Sequence, residues 1–365
     1  MHSYSGLWKD FSSKDHIRKC IYKAAIGKNK RSYVNKVLKN IDEYTDEIYD
    51  YVNNFYNREH KPVHIKDGSS GKDREIIVPA FQEHVVHHMV VDTLMPMFTR
   101  GMYAHTYSSI PGRGLHKCSK KIRAWIDHDT KNVKYCLKMD IRKFFNSIDH
   151  DVLKSELHKR IYDKKMCELL DTIIDATDDG IPLGFYTSHW FANWLLQPLD
   201  HLISEVLDGV AHYARYMDDM IVFGSNKRKL HRIKDRIEEW LNDRGMQLKG
   251  NWQVFRFDYI KNGEHRGRPL DFIGFEFWRD KTVLRKALML KLTRKAKKIN
   301  KKGHCTIHDA RQLMSYFGWV DWADCYKLYV EYVAPYIQIK KCRDYISQYD
   351  KKHNELQKQF LKEVA

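Results

Sequence analysis

Two apolar segments near the middle of the chain are separated by a short acidic break. Residues 210–216 and 220–223 are rich in β-branched and aromatic side chains, and Asp218 and Asp219 lie between them. This pattern predicts two strands joined by a tight turn, because charged side chains stay hydrated in a turn while the strands become buried. We therefore expect a β-hairpin with two carboxylates at its tip. On this segment alone, a polar turn without chemical function is an equal alternative.

A third carboxylate ends another strand-like segment. Residues 133–139 form an alternating run, and Asp140 follows them immediately before a predicted helix. Paired carboxylates repel each other, so a cation usually lies between or beside them. If the end of this strand lies beside the hairpin, Asp140 can supply the third oxygen ligand of a two-metal site.

The charge of the chain indicates a polyanionic partner. The 365 residues carry a formal net charge of +17, and the sequence pI is near 9.3. A basic surface binds phosphates through counterion release, although many basic proteins have no such partner. No apolar run approaches the ~18–20 residues of a membrane span, and residues 1–13 lack the apolar core of a secretion signal. We therefore expect a soluble, cytoplasmic protein that does not contact a membrane.

The cysteines indicate reduced thiols rather than disulfides or a metal cluster. All seven are scattered without a C-x-x-C pair. His304, Cys305 and His308 lie close together in sequence, but no second group of ligands completes a zinc site. We therefore predict no structural zinc there.

Two motifs, in this order, resemble the palm of reverse transcriptases. The first is D-x-x-x-F-F, formed by Asp140, Phe144 and Phe145, and the second is Y-M-D-D at residues 216–219. Further matched blocks follow in the family's order over about residues 50–330. The resemblance implies an α+β fold of the right-hand polymerase type, with fingers, a palm built on an antiparallel sheet, and a helical thumb.

The resemblance also implies a division of the chain. Residues 51–280 correspond to fingers and palm, and residues 281–365 to a basic helical thumb with a C-terminal extension. Residues 1–50 are helical in pattern and carry no chemical motif, so we expect an N-terminal helical extension packed on the fingers.

By resemblance, Asp140 and Asp218 hold two Mg²⁺ ions together with the backbone carbonyl of Ile141, and Mn²⁺ is a substitute. Asp219 is the third catalytic carboxylate and has a supporting part in metal binding, since neighbouring side chains diverge. The implied reaction is RNA-directed transfer of deoxynucleotidyl groups from dNTPs to a growing cDNA end.

The fingers hairpin supplies the first expected nucleotide contacts. Lys72 and Arg74 follow a predicted turn, and they resemble the basic residues with which the family holds the triphosphate. Arg74 is the stronger candidate, because its fork can bind phosphate oxygens in pairs. Two solvated charges beside a loop are the alternative.

The remaining expected nucleotide contacts come from the palm. The resemblance places Phe145 under the sugar, where its ring leaves no room for a 2′-hydroxyl; the alternative is that Phe144 and Phe145 are both core. It also places Gly184, Ser188 and His189 against the templating base and the nucleotide.

Template and primer contacts are expected from basic and aromatic residues. Arg113 and Lys117 belong to a G-R-G segment that opens a basic helix, and Trp319 and Trp322 belong to the resembled thumb helix. A solvated helical face and a buried core are the respective alternatives.

The L-G-x-x-x-S pattern at residues 183–188 resembles the branch that contains diversity-generating retroelement and antiphage defence enzymes. His189 stands where the diversity-generating enzymes have Gln. Antiphage defence through cDNA copied from a dedicated non-coding RNA is therefore the first hypothesis, with an accessory protein or an oligomer as further partners. Mutagenic diversity generation and a non-catalytic RNA-binding scaffold are the alternatives.

Overall fold

The computed structural model describes residues 3–28, 31–66 and 73–353. Its N-terminal part contains the helices α1 (Leu7–Phe11), α2 (Lys14–Ala25), α3 (Ser32–Lys39) and α4 (Ile41–Asn53). Helix α2 begins after Ser13, whose side chain accepts a hydrogen bond from the backbone N–H of His16. Helices α2 and α4 pack against α5 (Phe81–Thr99), which also packs against α9 (Tyr186–Leu195). Because it has neighbours on several sides, α5 buries residues around most of its circumference.

The fingers hairpin consists of two antiparallel strands, β1 (Pro62–Lys66) and β2 (Asp73–Ile77). Most of their side chains are exposed, so the backbone ladder is their main mutual contact. The backbone N–H of Ile77 donates a 2.7 Å hydrogen bond to the carbonyl of Leu183, which fixes the end of β2 to the loop before α9. The predicted turn at residues 67–71 and the basic residue Lys72 lie outside the described residues.

The central sheet has four antiparallel strands: β3 (Tyr135–Asp140), β4 (His212–Tyr216), β5 (Asp219–Gly224) and β6 (Gln253–Arg256). Their order across the sheet is β4-β5-β3-β6. Alternate side chains of β5 enter two separate cores. Met220 and Val222 join the core that contains the N-terminal helices, whereas Ile221 and Phe223 join the core that contains the C-terminal elements. Because both faces of β5 are buried, its sequence is an unbroken run of apolar residues from Met220 to Phe223.

The further helical elements between β2 and β6 are α6 (Leu115–His128), a 3₁₀ turn (Phe144–Ser147), α7 (His150–His158), α8 (Lys164–Ile174), α10 (Gln197–His201) with a π-helical turn (Leu202–Val206), and α11 (Lys227–Asn242). Helix α11 packs on β3, β5 and β6. It is capped by the side chain of Asn226, which accepts hydrogen bonds from the backbone N–H groups of Arg228 and Lys229. Helix α11 is amphipathic, because its buried positions recur at helical spacing.

Between residues 257 and 353, the described C-terminal part contains two small sheets and four α-helices: β7 (Tyr259–Lys261), β8 (Glu264–Arg266), β9 (Leu270–Phe272), β10 (Phe275–Phe277), β11 (Thr282–Leu284), α12 (Lys286–Lys302), α13 (Ile307–Phe317), a 3₁₀ turn (Val320–Trp322), α14 (Tyr326–Tyr332) and α15 (Ile339–His353). Strands β9 to β11 form one antiparallel sheet. Phe272 and Phe275 share a core with α12, α13 and the back of the central sheet. The C-terminal helices and the central sheet therefore contribute to one continuous core.

Helices packed on antiparallel sheets confirm the predicted α+β fold class. The predicted domain boundaries stay predictions; the one at residue 280 falls between β10 and β11, which are neighbours in one sheet. Within the described ranges, every helix is too short or too polar to cross a lipid bilayer.

Candidate active site

Three carboxylates meet at one end of the central sheet. Asp140, the last residue of β3, lies directly opposite Asp219, the first residue of β5. Opposed residues on antiparallel strands point to the same face, so these two carboxylates share one face of the sheet. Asp218 lies in the turn between β4 and β5, close enough to Asp140 for the two carboxyl groups to interact. The hairpin and its proximity to Asp140 are as predicted.

Crowding raises the proton affinity of the carboxylates. Asp218 and Asp219 are both partly buried. The pKa of Asp218 rises to about 7, because burial, the Asp219 carboxylate and the Asp140 carboxylate all disfavour its negative charge. Burial and then Asp140 raise the pKa of Asp219 to about 6, although nearby basic side chains oppose the shift. The site therefore holds more negative charge than its surroundings neutralise.

One lysine contacts this cluster directly. Nζ of Lys249 lies 2.9 Å from Oδ2 of Asp140, and the backbone N–H of Lys249 donates a 2.8 Å hydrogen bond to the Asp140 carbonyl. Ile141 continues the contact through an antiparallel bridge to Leu248. The sequence prediction missed Lys249, which is 109 residues from Asp140.

The donor set fits a hard divalent cation. Carboxylate and carbonyl oxygens are the ligands that Mg²⁺ and Mn²⁺ prefer, and neighbouring carboxylates with raised pKa values gain from a cation between them. Asp140, Asp218 and Asp219 would hold it, and Ile141 supplies a backbone carbonyl next to Asp140. Such a cation would offset the negative charge of reactants and lower the pKa of a bound hydroxyl.

A second acidic group lies buried behind the hairpin. Asp200 of α10 and Arg215 of β4 are both fully buried, and Nη2 of Arg215 lies 2.6 Å from Oδ2 of Asp200. Nε of the same guanidinium donates a 2.7 Å hydrogen bond to Oδ1. The hydroxyls of Tyr213 and Thr106 also donate to this carboxylate, at 2.7 Å and 3.0 Å. The charge of Asp200 is therefore matched inside the protein.

Arg215 connects this buried pair to the turn between β4 and β5. Its Nη1 donates hydrogen bonds to the backbone carbonyl of Met217, at 3.1 Å, and to Oδ1 of Asn193, at 3.0 Å. Met217 is buried with a φ of +61°, a left-handed conformation that non-glycine residues adopt only where their surroundings impose it. Arg215 thus supports the turn that carries Asp218. The sequence prediction missed Asp200 and Arg215; the available signal was an arginine inside an apolar strand, which needs a buried partner.

Phe145 and His189 lie against each other. Their ring centroids are 5.3 Å apart, and the rings are nearly perpendicular. Phe144 is buried in the core, whereas Phe145 is only partly buried, so one ring of the pair is core and the other reaches the surface. Nδ1 of His189 is buried without a hydrogen-bond partner among the described residues, and burial lowers the pKa of this ring. Two of the predicted nucleotide contacts are therefore adjacent.

Gly184 and Ser188 shape the loop before α9. Gly184 has a φ of +111°, and a Cβ added there would lie 2.0 Å from the carbonyl oxygen of Ile77. Only glycine allows the fingers strand to approach this closely. The buried hydroxyl of Ser188 donates a 2.7 Å hydrogen bond to the carbonyl of Pro182. Ser188 therefore holds the loop in place.

The basic residues predicted to bind nucleotide or nucleic acid have different surroundings. Arg74 is exposed on β2. Nη1 of Arg113 donates hydrogen bonds to the carbonyls of Tyr103 and Thr106, at 2.6 Å and 3.1 Å, so this guanidinium stabilises its own loop. Lys117 is exposed, with Nζ 3.3 Å from a backbone carbonyl.

The two predicted thumb aromatics also differ. Trp319 packs on Phe275, with ring centroids 5.5 Å apart, and belongs to the border of the C-terminal core. Trp322 is 45% exposed and stacks on His116 of α6, with centroids 4.7 Å apart. Of the two, Trp322 has the greater surface available for a nucleic acid.

Comparison with known proteins relates this geometry to a family. The family described as "Reverse transcriptase (RNA-dependent DNA polymerase)" matches residues 63–277, which include all three carboxylates. The Retron Ec73 reverse transcriptase of Escherichia coli is 27% identical over 205 residues, which are 53% of this chain and 62% of that protein. Protein YkfC of Escherichia coli strain K12 is 22% identical over 160 residues, covering 40% of this chain and 42% of that protein. The chain thus spans less than two thirds of the length of these relatives.

Among solved structures, the apo telomerase of Candida tropicalis is similar with a TM-score of 0.48 and 14% sequence identity, over 70% of this chain and 52% of that chain. The assignment of this chain depends on the sequence match, because it covers more than half of the residues and contains the carboxylate cluster. This protein therefore belongs to the reverse transcriptase (RNA-dependent DNA polymerase) family.

Proposed function

We propose that this protein is an RNA-directed DNA polymerase that extends a primer with dNTPs at Asp140, Asp218 and Asp219. The observation that carries the proposal is the meeting of these incompletely neutralised carboxylates within the residues that the family matches. Asp140, Asp218 and the carbonyl of Ile141 would hold two Mg²⁺ ions, with Mn²⁺ as a substitute and Asp219 in support. The net charge of +17 suits a template RNA and its cDNA product.

The other residues of the site would orient the reactants. Arg74 would bind the triphosphate, as would Lys72, which lies outside the described residues. Phe145 would contact the sugar of the incoming nucleotide, and His189 would support that ring through their direct contact. Lys249 holds Asp140 by both its carboxylate and its carbonyl, which keeps this ligand at the end of β3.

Primer extension on an RNA template tests this proposal. Asp140→Asn and Asp218→Asn should each lower Mg²⁺-dependent incorporation at least about a hundredfold and leave RNA binding nearly unchanged, because the basic surface is intact. Asp208→Asn is the matched control, since Asp208 is exposed and its ion pair with Lys229 lies at the surface. Near wild-type extension by either active-site variant would contradict the assignment.

We further propose that the template is a dedicated non-coding RNA and that the cDNA acts in antiphage defence, with an accessory protein or a second copy of the chain as a further partner. Similarity to a retron reverse transcriptase supports this role over mutagenic diversity generation. The contact between His189 and Phe145 also supports it, because a histidine replaces the Gln of the diversity-generating enzymes beside the expected nucleotide pocket.

Sequencing of cDNA separates these two roles. Wild-type enzyme copying an adenine-containing template should misincorporate no more opposite adenine than opposite other bases, and cells that carry the locus should resist phage. His189→Gln tests whether this position controls fidelity. Heavy misincorporation opposite adenine by the wild type, without phage protection, would favour diversity generation.

A further inference from the structure

Three metal-ligating side chains meet where α2 packs against α5. His16 and Cys20 lie one turn apart on α2, and Asp92 belongs to α5; one ligand atom from each lies within 4.8 Å of the others. Nε2 of His16 is 3.2 Å from Oδ2 of Asp92 and 3.4 Å from Sγ of Cys20. We propose that these side chains bind a Zn²⁺ ion that links α2 to α5.

The two distances match the edges of a tetrahedral zinc site. Zinc bonds to nitrogen and oxygen are about 2.0 Å long and bonds to sulfur about 2.3 Å, so tetrahedral angles separate N from O by roughly 3.3 Å and N from S by roughly 3.5 Å. The observed 3.2 Å and 3.4 Å are close to these values. Positions i and i+4 share one face of a helix, so α2 presents two ligands together. The side chains of His16 and Asp92 are 14% and 25% exposed, which leaves access for a water ligand.

His16 is oriented for metal binding by its other ring nitrogen. Nδ1 lies 2.8 Å from the carbonyl oxygen of Phe11, which can only accept a hydrogen bond, so Nδ1 carries a proton. In the neutral ring, Nε2 then presents its lone pair towards the Asp92 carboxylate. A hydrogen bond from the second nitrogen to a carbonyl is the usual outer contact of a zinc-binding histidine.

Two lysine side chains and ligand-bound protons compete with a metal ion for the ligand atoms of this site. Lys23 pairs with Oδ1 of Asp92, which leaves Oδ2 available. Nζ of Lys19 lies 3.5 Å from Oδ2, but this side chain is 56% exposed and can turn to solvent. A second proton on His16 would instead make an ion pair with Asp92. Cys20 is fully buried, so zinc binding must displace the proton of its thiol.

Titration of the full chain with Co²⁺ and Zn²⁺ tests the proposal after treatment with a chelator. One equivalent of Co²⁺ should give a thiolate-to-cobalt charge-transfer band, and Zn²⁺ should abolish it by displacement. Excess Zn²⁺ should raise the melting temperature by roughly 4 °C or more. Cys20→Ala should lose both responses, and His16→Gln should weaken Co²⁺ binding at least about tenfold.

Two controls separate this site from others. Cys118→Ala removes a thiol that is equally buried but belongs to none of the ligand groups found among the described residues, so its band should persist. Asp218→Asn should also keep the band, because the catalytic carboxylates contain no sulfur; the result is therefore independent of the proposed polymerase. Absence of the band in the wild type, or its persistence in Cys20→Ala, would overturn the zinc site. If Cys20→Ala does not fold, His16→Gln, which keeps the thiol, provides the same comparison.

Discussion

The two acidic groups that contact the β4–β5 hairpin differ in how their charge is balanced. Asp200 is fully buried, yet it pairs with Arg215 and accepts hydrogen bonds from Tyr213 and Thr106. Asp218 and Asp219 are less buried, yet burial and neighbouring carboxylates raise their pKa values to about 7 and about 6. The degree of burial alone therefore does not decide how costly a charge is; the partners decide it.

This difference in charge balance distinguishes the structural role of Asp200 from the proposed metal-binding role of Asp218 and Asp219. A buried carboxylate whose hydrogen bonds are complete holds its neighbours in one arrangement, whereas carboxylates with incomplete neutralisation can gain from an external cation. Arg215 joins the two groups, because it binds Asp200 on one side and the carbonyl of Met217 on the other. The buried Asp200–Arg215 pair thus stabilises the turn that carries Asp218.

Removing one partner of the interior pair should have the largest effect. We expect Asp200→Ala to lower the free energy of unfolding by about 3–5 kcal/mol, because Arg215 would remain buried without its counter-charge. Asp208→Ala, which breaks the exposed pair with Lys229, should lower it far less, because solvent screens a surface ion pair. Chemical denaturation measures both. Equal losses for the two variants would remove the distinction between the interior pair and a surface pair.

Asp218→Asn should lower the rate of primer extension at least about a hundredfold, since an amide cannot replace the charge of a metal-binding carboxylate. Single-turnover extension at saturating dNTP measures the effect. The same variant should keep its affinity for a template–primer duplex. A small rate change with lost duplex affinity would assign Asp218 to nucleic-acid binding instead.

The raised pKa of Asp218 also predicts a pH-dependent gain of stability in this variant. The ordinary pKa is 3.8 and the folded value is about 7, so between these values the folded metal-free protein binds more protons than the unfolded chain. The free energy of unfolding of the wild type therefore falls as pH rises through this interval, and the penalty persists above it.

Thermal denaturation in chelator measures this gain. Asp218→Asn should melt at a higher temperature than the wild type at pH 8, and the difference should disappear near pH 4. Mg²⁺ should raise the melting temperature of the wild type more at pH 8 than at pH 6. Parallel pH profiles for the two proteins would contradict the carboxylate crowding.

Phe145→Val should lower discrimination against ribonucleotides by roughly tenfold or more, since the shorter side chain opens space for a 2′-hydroxyl. The ratio of kcat/KM for matched deoxynucleotides and ribonucleotides measures this change. Phe144→Val is the matched control, because Phe144 is buried and its shortening should lower stability without changing the ratio. An altered ratio only in the Phe144 variant would reassign the selecting ring.

Of these substitutions, replacing Lys249 with an uncharged residue should have the smallest effect. Lys249→Met should reduce extension by about tenfold, because the lysine positions Asp140 without being a metal ligand. Raising the Mg²⁺ concentration should restore part of the rate. A loss as large as that of Asp218→Asn would place Lys249 among the catalytic residues.

The sequence by itself was sufficient for the hairpin, the strand before Asp140 and the basic helix α6 after the G-R-G segment, because each depends on local periodicity and turn residues. It also predicted that Asp140 would lie beside the acidic hairpin tip, as the pairing of Asp140 with Asp219 shows. The family assignment follows from the same residues and is confirmed.

Only the tertiary structure decided which charged side chains have an ion-pair partner. Asp200 and Arg215 are 15 residues apart and Lys249 is 109 residues from Asp140, and periodicity contains no information about such pairings. Arg113 and Ser188 were predicted as ligand contacts, yet their side chains also hold their own loops through backbone carbonyls. Hydrogen-bond partners depend on which elements pack together in space, and the folded chain alone establishes that packing.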